Sequence, residues 1–183
     1  RHDTQQRLWR GALLRTASVQ TRIALTPAQR LAYIEKELTI ENTEKWPQSQ
    51  QEAVYSFHLP EGGVVSSLSL WINGVEEKSR LSARSLADSA YRTVVGQERR
   101  DPSIVHWQEG NLITLRVFPC TPQEARRFKL GVTAPMTLSN EELVLENVVF
   151  EGPDASKARE AIVVTLPDAQ NLWHNAPDFL TKK

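Results

Sequence analysis

From residue 19 onward, apolar side chains recur at every second position for long stretches, the period of a half-buried strand. Val19 to Leu25 alternate in this way until Thr26-Pro27 interrupts them. Residues 31–42 carry two signals. Thr26 as a cap and Pro27 at a first helical position would start a helix. Against that, Ala32, Ile34, Leu38 and Ile40 share one face of an extended chain, with Lys36 as the exception, and a strand is the favoured reading. The polar stretch 43–52 is a loop, after which Ala53, Tyr55, Phe57 and Leu59 define another strand face. Pro60 to Gly63 turns the chain, and Leu68, Leu70 and Ile72 then alternate with Ser67, Ser69 and Trp71. Asn73-Gly74 follows at once, a strong hairpin signal because both residues tolerate positive φ. On the return strand Glu76, Lys78 and Arg80 form a wet face.

Residues 82–96 change period. Ser82 can cap, Ala83, Leu86, Ala90, Tyr91 and Val94 recur at helical spacing, and Gly96 can close the helix. Ile104 to Trp107, Leu112 to Phe118, Phe128 to Val132, residues 142–150 and residues 161–166 read as further strands. Residues 1–18 carry Arg1, Arg7, Arg10 and Arg15 against Asp3 alone and show weak helical spacing. They read as a basic helix or linker, of the kind that can lie near a membrane surface. Many short strands, hairpin links and one helix predict a mainly β protein. The expected fold is an antiparallel β-sandwich with a short α-helix inserted at about 82–96 and an N-terminal helix. Three segments follow: the basic arm 1–18, a sandwich over 19–136, and additional strands with a tail over 137–183.

Composition narrows the function classes. The 183 residues hold 22 Lys+Arg against 22 Asp+Glu, so the electrostatic footprint of a nucleic-acid binder is missing. One cysteine, Cys120, cannot build a disulfide framework or a cysteine-rich zinc site. No apolar run is long enough to span a bilayer as a helix. The chain begins at Arg1 rather than Met, and is read as a piece of a longer protein whose targeting segment lies elsewhere.

The stretch from Tyr55 to Met136 resembles the VIT domain (vault protein inter-alpha-trypsin domain). The resemblance rests on YSFHLPEGGVVSSLSLWINGV, ARSLADSAYRTVV, RRDPSIVHW and GNLITLRVFPCTPQEARRFKLGV, in that order. Phe57, Leu59, Pro60, Ile72, Gly74, Tyr91, Asn111, Val117, Phe118 and Pro119 sit where the order needs them. Departures occur at His106, where an acid often precedes the Trp, at Ala83-Arg84, where Lys-Glu is common, and at Cys120. The resemblance implies a β-sandwich without a catalytic centre, often placed N-terminal to a von Willebrand type A domain. It also implies secreted, vault-associated or bacterial surface proteins, and the wording here is read as bacterial. Phe57, Ile72 and Phe118 are expected to face the core.

A search for chemistry returns little. His2, His58, His106 and His174 have no metal-ligand spacing, and Cys120 has no evident activating partner. Gly-x-Ser-x-Gly elbows, phosphate loops and His-Glu-x-x-His are absent from the sequence. No catalytic, metal or cofactor role is therefore assigned, and no cofactor is expected. Trp71 is the residue that stands out, a large aromatic on a polar face, to be covered by the 82–96 helix or exposed as an anchor. With Arg84, Arg99, Arg100, His106 and Trp107 it makes up the candidate interaction surface.

The leading expectation is a non-enzymatic protein-interaction or scaffolding module of a larger, membrane-attached extracytoplasmic protein. Its partner would be a protein or a neighbouring domain of the same chain, such as a von Willebrand type A domain. Nucleic acid is excluded, and membrane contact would run through flanking segments. The alternative is a ligand- or carbohydrate-binding sandwich using Trp71, Trp107 and Trp173.

Overall fold

A computed structural model describes residues 13–78, 111–167 and 172–175, and the backbone alone of 92–95 and 103–107. Among the described residues thirteen strands run in the order β1 (Leu14–Thr26), β2 (Leu31–Asn42), β3 (Gln51–His58), β4 (Val64–Ile72), β5 (Val75–Lys78), β6 (Arg92–Val95) and β7 (Ser103–Trp107). They continue with β8 (Leu112–Cys120), β9 (Arg126–Pro135), β10 (Thr137–Ser139), β11 (Glu142–Val144), β12 (Val149–Glu151) and β13 (Arg159–Thr165). One sheet has the order β13-β1-β2-β9-β4-β5 and the other β12-β3-β8-β7-β6, with β10 and β11 a separate small hairpin.

The two larger sheets share one core. Ile34, Leu38, Leu68, Leu70, Phe128 and Leu130 face inward from the first sheet. Ala53, Tyr55, Phe57, Ile113, Leu115 and Val117 meet them from the second. Tyr55 lies edge-on to Phe128 across the interface, with ring centroids 5.2 Å apart. Each inward set is one parity of its strand, so the two-residue period in the sequence is the core itself. The β4–β5 turn has Asn73 at φ 51° and Gly74 at φ 78°, the backbone that the Asn-Gly pair predicts.

Residues 31–42 are a strand, as the alternation predicts. The competing helix signal is spent on a single 3-10 turn, Pro27–Gln29, closed by Arg30 in the left-handed region. On β2 the alternation is unbroken, because Lys36 and Asn42 occupy inward places as well and both are buried.

Four expectations need correction. The expected basic helix over 1–18 gives way to strand from Leu14, with Leu14 and Thr16 buried; residues 1–12 lie outside the described residues. A β-bulge between Thr16 and Ser18 shifts the inward parity from 14 and 16 to 19 and 21, and that shift hides the strand period in the sequence. The C-terminal part of the expected 82–96 helix is strand β6, paired with β7 from Arg92↔Trp107 to Val95↔Ile104. Thr93, Val94 and Val95 are β-branched in succession, a run that favours a strand once a partner edge is available. Residues 82–91 lie outside the described residues, and no α-helix occurs among the described ones. The sandwich is also not wholly antiparallel, since β1 and β13 run parallel. Finally, Phe57 is buried and Ile72 half-buried, but Phe118 is 44% exposed, because Val117 already holds the inward place on β8.

Strands beyond residue 136 complete both sheets. The expected strand over 142–150 is divided into β11 and β12, with β12 pairing with β3, while β13 joins β1.

Candidate interaction face

The outward parity of the first sheet gathers a band of charge around one aromatic. Trp71 projects from β4 with its neighbour Ser69, and β9 brings Arg127 and Lys129 alongside through the pairs Ser69↔Lys129 and Leu70↔Phe128. Glu35 and Glu37 come from β2, Arg22 from β1 and Glu76 from β5, opposite Trp71. The guanidinium carbon of Arg127 stands 4.0 Å from the Trp71 ring centroid, and Lys129 Nζ lies 5.6 Å away. Trp71 is half-buried, with the Arg127 cation over its ring; the 82–91 part of the segment expected to cover it lies outside the described residues.

The charges form a continuous ladder. Arg22 Nη1 is 3.3 Å from Glu35 Oε1 and 3.7 Å from Glu37 Oε2. Arg127 Nη1 is 3.5 Å from Glu37 Oε1, and Lys129 Nζ is 3.7 Å from Glu35 Oε2 and 2.8 Å from Glu76 Oε1. Hydrogen bonds from Lys129 and then Ser69 hold the Glu76 carboxyl below its ordinary pKa. Partial burial works against the Lys129 ammonium, yet its bond to Glu76 and the nearby Glu35 charge keep its pKa raised. Within the ladder three cations face three carboxylates, and Lys78, on the same face of β5 as Glu76, adds a positive charge beside it. Paired charges of this kind contribute more to selection by shape and planar contact than to long-range attraction. Beside it Tyr33 Oη and Ser67 Oγ are 2.8 Å apart over Gly131, where a Cβ would overlap both oxygens. Glycine is what lets the tyrosine lie flat on the sheet there.

A second feature lies at the opposite, inward parity. Lys36, 6% exposed, donates from Nζ to Thr21 Oγ1 at 2.9 Å. Burial lowers its pKa to about 8, while the Glu160 carboxylate pulls the other way. Lys36 borders an open groove of about 610 Å³ between the 147–155 segment and Glu160. A second groove, of about 500 Å³, lies where β1 meets Asp154, Lys157 and Arg159. Among the described residues no three His, Cys, Asp or Glu side chains cluster as a metal site. Cys120 is buried, with desolvation pushing its thiol up to about 11, so it is poorly suited to act as a nucleophile.

Of the six residues of the expected interaction surface, Trp71 alone has a described side chain. Arg84, Arg99 and Arg100 lie outside the described residues. His106 and Trp107 fall on β7, which belongs to the other sheet, so their backbone is not in the layer that carries Trp71. Trp173, grouped with Trp71 in the carbohydrate alternative, is 83% exposed. The sequence reading missed Arg22, Glu35, Glu37, Arg127 and Lys129 as one surface. Their signal was the parity opposite each apolar row, but pairing those rows requires the strand order, which the alternation does not contain.

Comparison with known proteins places the chain in a family. The VIT family (vault protein inter-alpha-trypsin domain) matches residues 16–132, nearly two thirds of the chain, and the chain belongs to it. No curated protein matches. Among solved structures, the M1 zinc metallopeptidase from Deinococcus radiodurans is 16% identical, covering 69% of this chain and 21% of that one, with a TM-score of 0.35. Its E323A mutant bound to a Tyr-Ser-Ala substrate is 15% identical, covering 69% and 22%, with a TM-score of 0.34. The chain thus spans about a fifth of the length of these two structures.

Proposed function

We propose that this VIT domain is a non-catalytic interaction module within a larger bacterial protein, attached to the membrane and working outside the cytoplasm. The observation that carries this reading is the outer face of the first sheet, where Trp71 is clamped by Arg127 inside an ion-pair ladder. An aromatic ring with a guanidinium over it in a band of paired charges suits a protein-binding surface, since Trp and Arg are among the side chains most enriched at interface hot spots. The partner is a neighbouring domain of the parent chain, such as a von Willebrand type A domain. The Arg127 guanidinium already occupies one face of the ring, which leaves less of Trp71 for stacking on a sugar.

The test is association of the full chain with the adjoining domain of its parent protein, measured by calorimetry for the natural sequence and for Trp71→Ala. The expected result is a loss of roughly 30-fold in affinity, equivalent to about 2 kcal/mol at a hot spot. The melting temperature should fall by only a few degrees, because Trp71 is half-buried. Unchanged affinity would remove this face from the proposal. Saturable glycan binding that disappears in Trp71→Ala would instead replace it with the carbohydrate reading.

A further inference from the structure

The first and last strands of the described fold lie side by side and run in the same direction. β1 and β13 stay in register over seven residue pairs, from Ser18↔Arg159 to Ala24↔Thr165. In a parallel pair the start of one strand and the end of the other lie at opposite ends of the ladder. The chain before Leu14 therefore leaves at one pole and the chain after Thr165 at the other. Tension drawn between those two points acts along the strands and loads every ladder bond at once. Antiparallel terminal strands would bring both attachment points to one end and unzip bond by bond.

The remaining contacts reinforce that geometry. β1 is fixed along its other edge by twelve residue pairs with β2, whereas β13 is an edge strand held by β1. Near its entry, β1 is pinned three more times. Thr16 donates its N–H to Asp154 O at 2.8 Å, its Oγ1 donates to Pro153 O at 2.9 Å, and Thr43 donates its N–H to Leu13 O at 2.7 Å. The link from Asp154 to β13 is a turn closed on itself, with the Ser156 N–H on Asp154 Oδ1 at 2.9 Å and the Ala158 N–H on Ala155 O at 2.9 Å. Parallel alignment thus extends from the Arg15↔Asp154 bridge to Ala24↔Thr165 with little slack.

We infer that the domain bears tension, with the β1–β13 pair acting as a shear clamp between the segments of the parent chain on either side. This role rests on the proposed place of the domain inside a larger surface-attached protein; the clamp itself follows from strand direction alone. A module that carries a partner while its chain is pulled benefits from resisting along that axis and yielding only as a unit.

Single-molecule force spectroscopy on the full 183-residue chain between handle domains tests the clamp by changing only the pulling direction. In one arrangement both handles are at the chain ends. In the other, one handle is at the C-terminus and one at Gln29→Cys, an exposed position in the turn after β1 at the same pole as Thr165. Cys120 is buried and stays clear of the coupling. The first arrangement should rupture at a several-fold higher force and release about 500 Å in one step, at roughly 3.4 Å per extended residue. The second should open at low force, beginning with the short extension of a peeled β13. Equal forces in the two arrangements, or stepwise peeling from the chain ends, would overturn the clamp. Matching thermal melts of the two proteins show that both are folded. Equal forces with partner binding at Trp71 intact would remove the clamp alone, whereas lost partner binding with the force difference intact would remove only the module reading.

Discussion

Substituting Lys36 by methionine stabilises the fold at neutral pH, although it deletes a hydrogen bond. Burial has moved the Lys36 pKa from 10.5 to about 8, against the opposing pull of Glu160. Below pH 8 the lysine is charged in both folded and unfolded chains, and its folded state then carries a desolvation cost of roughly 3 kcal/mol. Methionine fills nearly the same length without a charge. The offsetting loss is at Thr21, whose buried hydroxyl gives up its 2.9 Å donor, about 1 kcal/mol. The net expectation for Lys36→Met is about 2 kcal/mol of added stability at pH 7, or a melting temperature roughly 5 °C higher for a domain of this size. A Lys36→Met protein that melts below the parent would show that the ammonium is better paired than its surroundings indicate.

The pH dependence gives an independent check. With its folded pKa depressed, Lys36 releases its proton near pH 8 when folded and near 10.5 when unfolded, so the unfolded chain binds more protons in between and stability rises with pH. Cys120 has the opposite sign: burial raises its folded pKa from 9 to about 11, and stability falls as pH climbs through that window. Tyr55 adds to the fall above 10, where burial keeps its phenol protonated in the folded state, and the raised Lys129 pKa adds to it above 10.5. The parent should therefore gain about 1 kcal/mol between pH 8 and 9, hold level to about 10, and lose stability beyond. Urea titrations at intervals across this range should show no gain between pH 8 and 9 in Lys36→Met.

The same lysine illustrates how much of the fold was legible in the sequence. It was the exception among Ala32, Ile34, Leu38 and Ile40 on the apolar parity of β2, and the structure keeps it on that parity. The Asn73-Gly74 pair located the β4–β5 hairpin, while alternation located β2, β3 and β4, because each buries one face against the other sheet and the two-residue period is the physical trace of that burial. It failed where burial and period part company. At β1 a bulge changes parity in mid-strand, and at β6 a β-branched run sits inside a stretch whose alanines and leucine read as helix. Strand order was not legible at all. The parallel β1–β13 contact joins residues more than 130 positions apart. The Trp71 band draws on β1, β2, β4, β5 and β9, so its residues were each visible while their convergence was not.

The largest loss is expected at Tyr55, where packing and hydrogen bonding meet. Its ring is fully buried and touches Phe57, Phe128 and Phe150, at centroid distances of 6.0, 5.2 and 5.8 Å. Its hydroxyl meets Thr16 Oγ1 at 2.8 Å, and Thr16 in turn donates to Pro153 O. The side chain thus ties the second sheet to β1 and to the 153–154 segment together. Tyr55→Ala should cost about 4 kcal/mol through the cavity it leaves, whereas Tyr55→Phe should cost only about 1 kcal/mol, the share of the hydroxyl. Gly152 supplies the coupling test. A Cβ there would lie 2.5 Å from Tyr55 Cδ1, so Gly152→Ala must push a ring that the core cannot release, at about 3 kcal/mol. In the Tyr55→Ala background that collision is gone, and the added methyl enters the vacated space. The double variant should therefore be more stable than the sum of the single losses by about 2 kcal/mol. Simple additivity in chemical denaturation would mean that Gly152 is required by its backbone alone and that the ring against it has room to move.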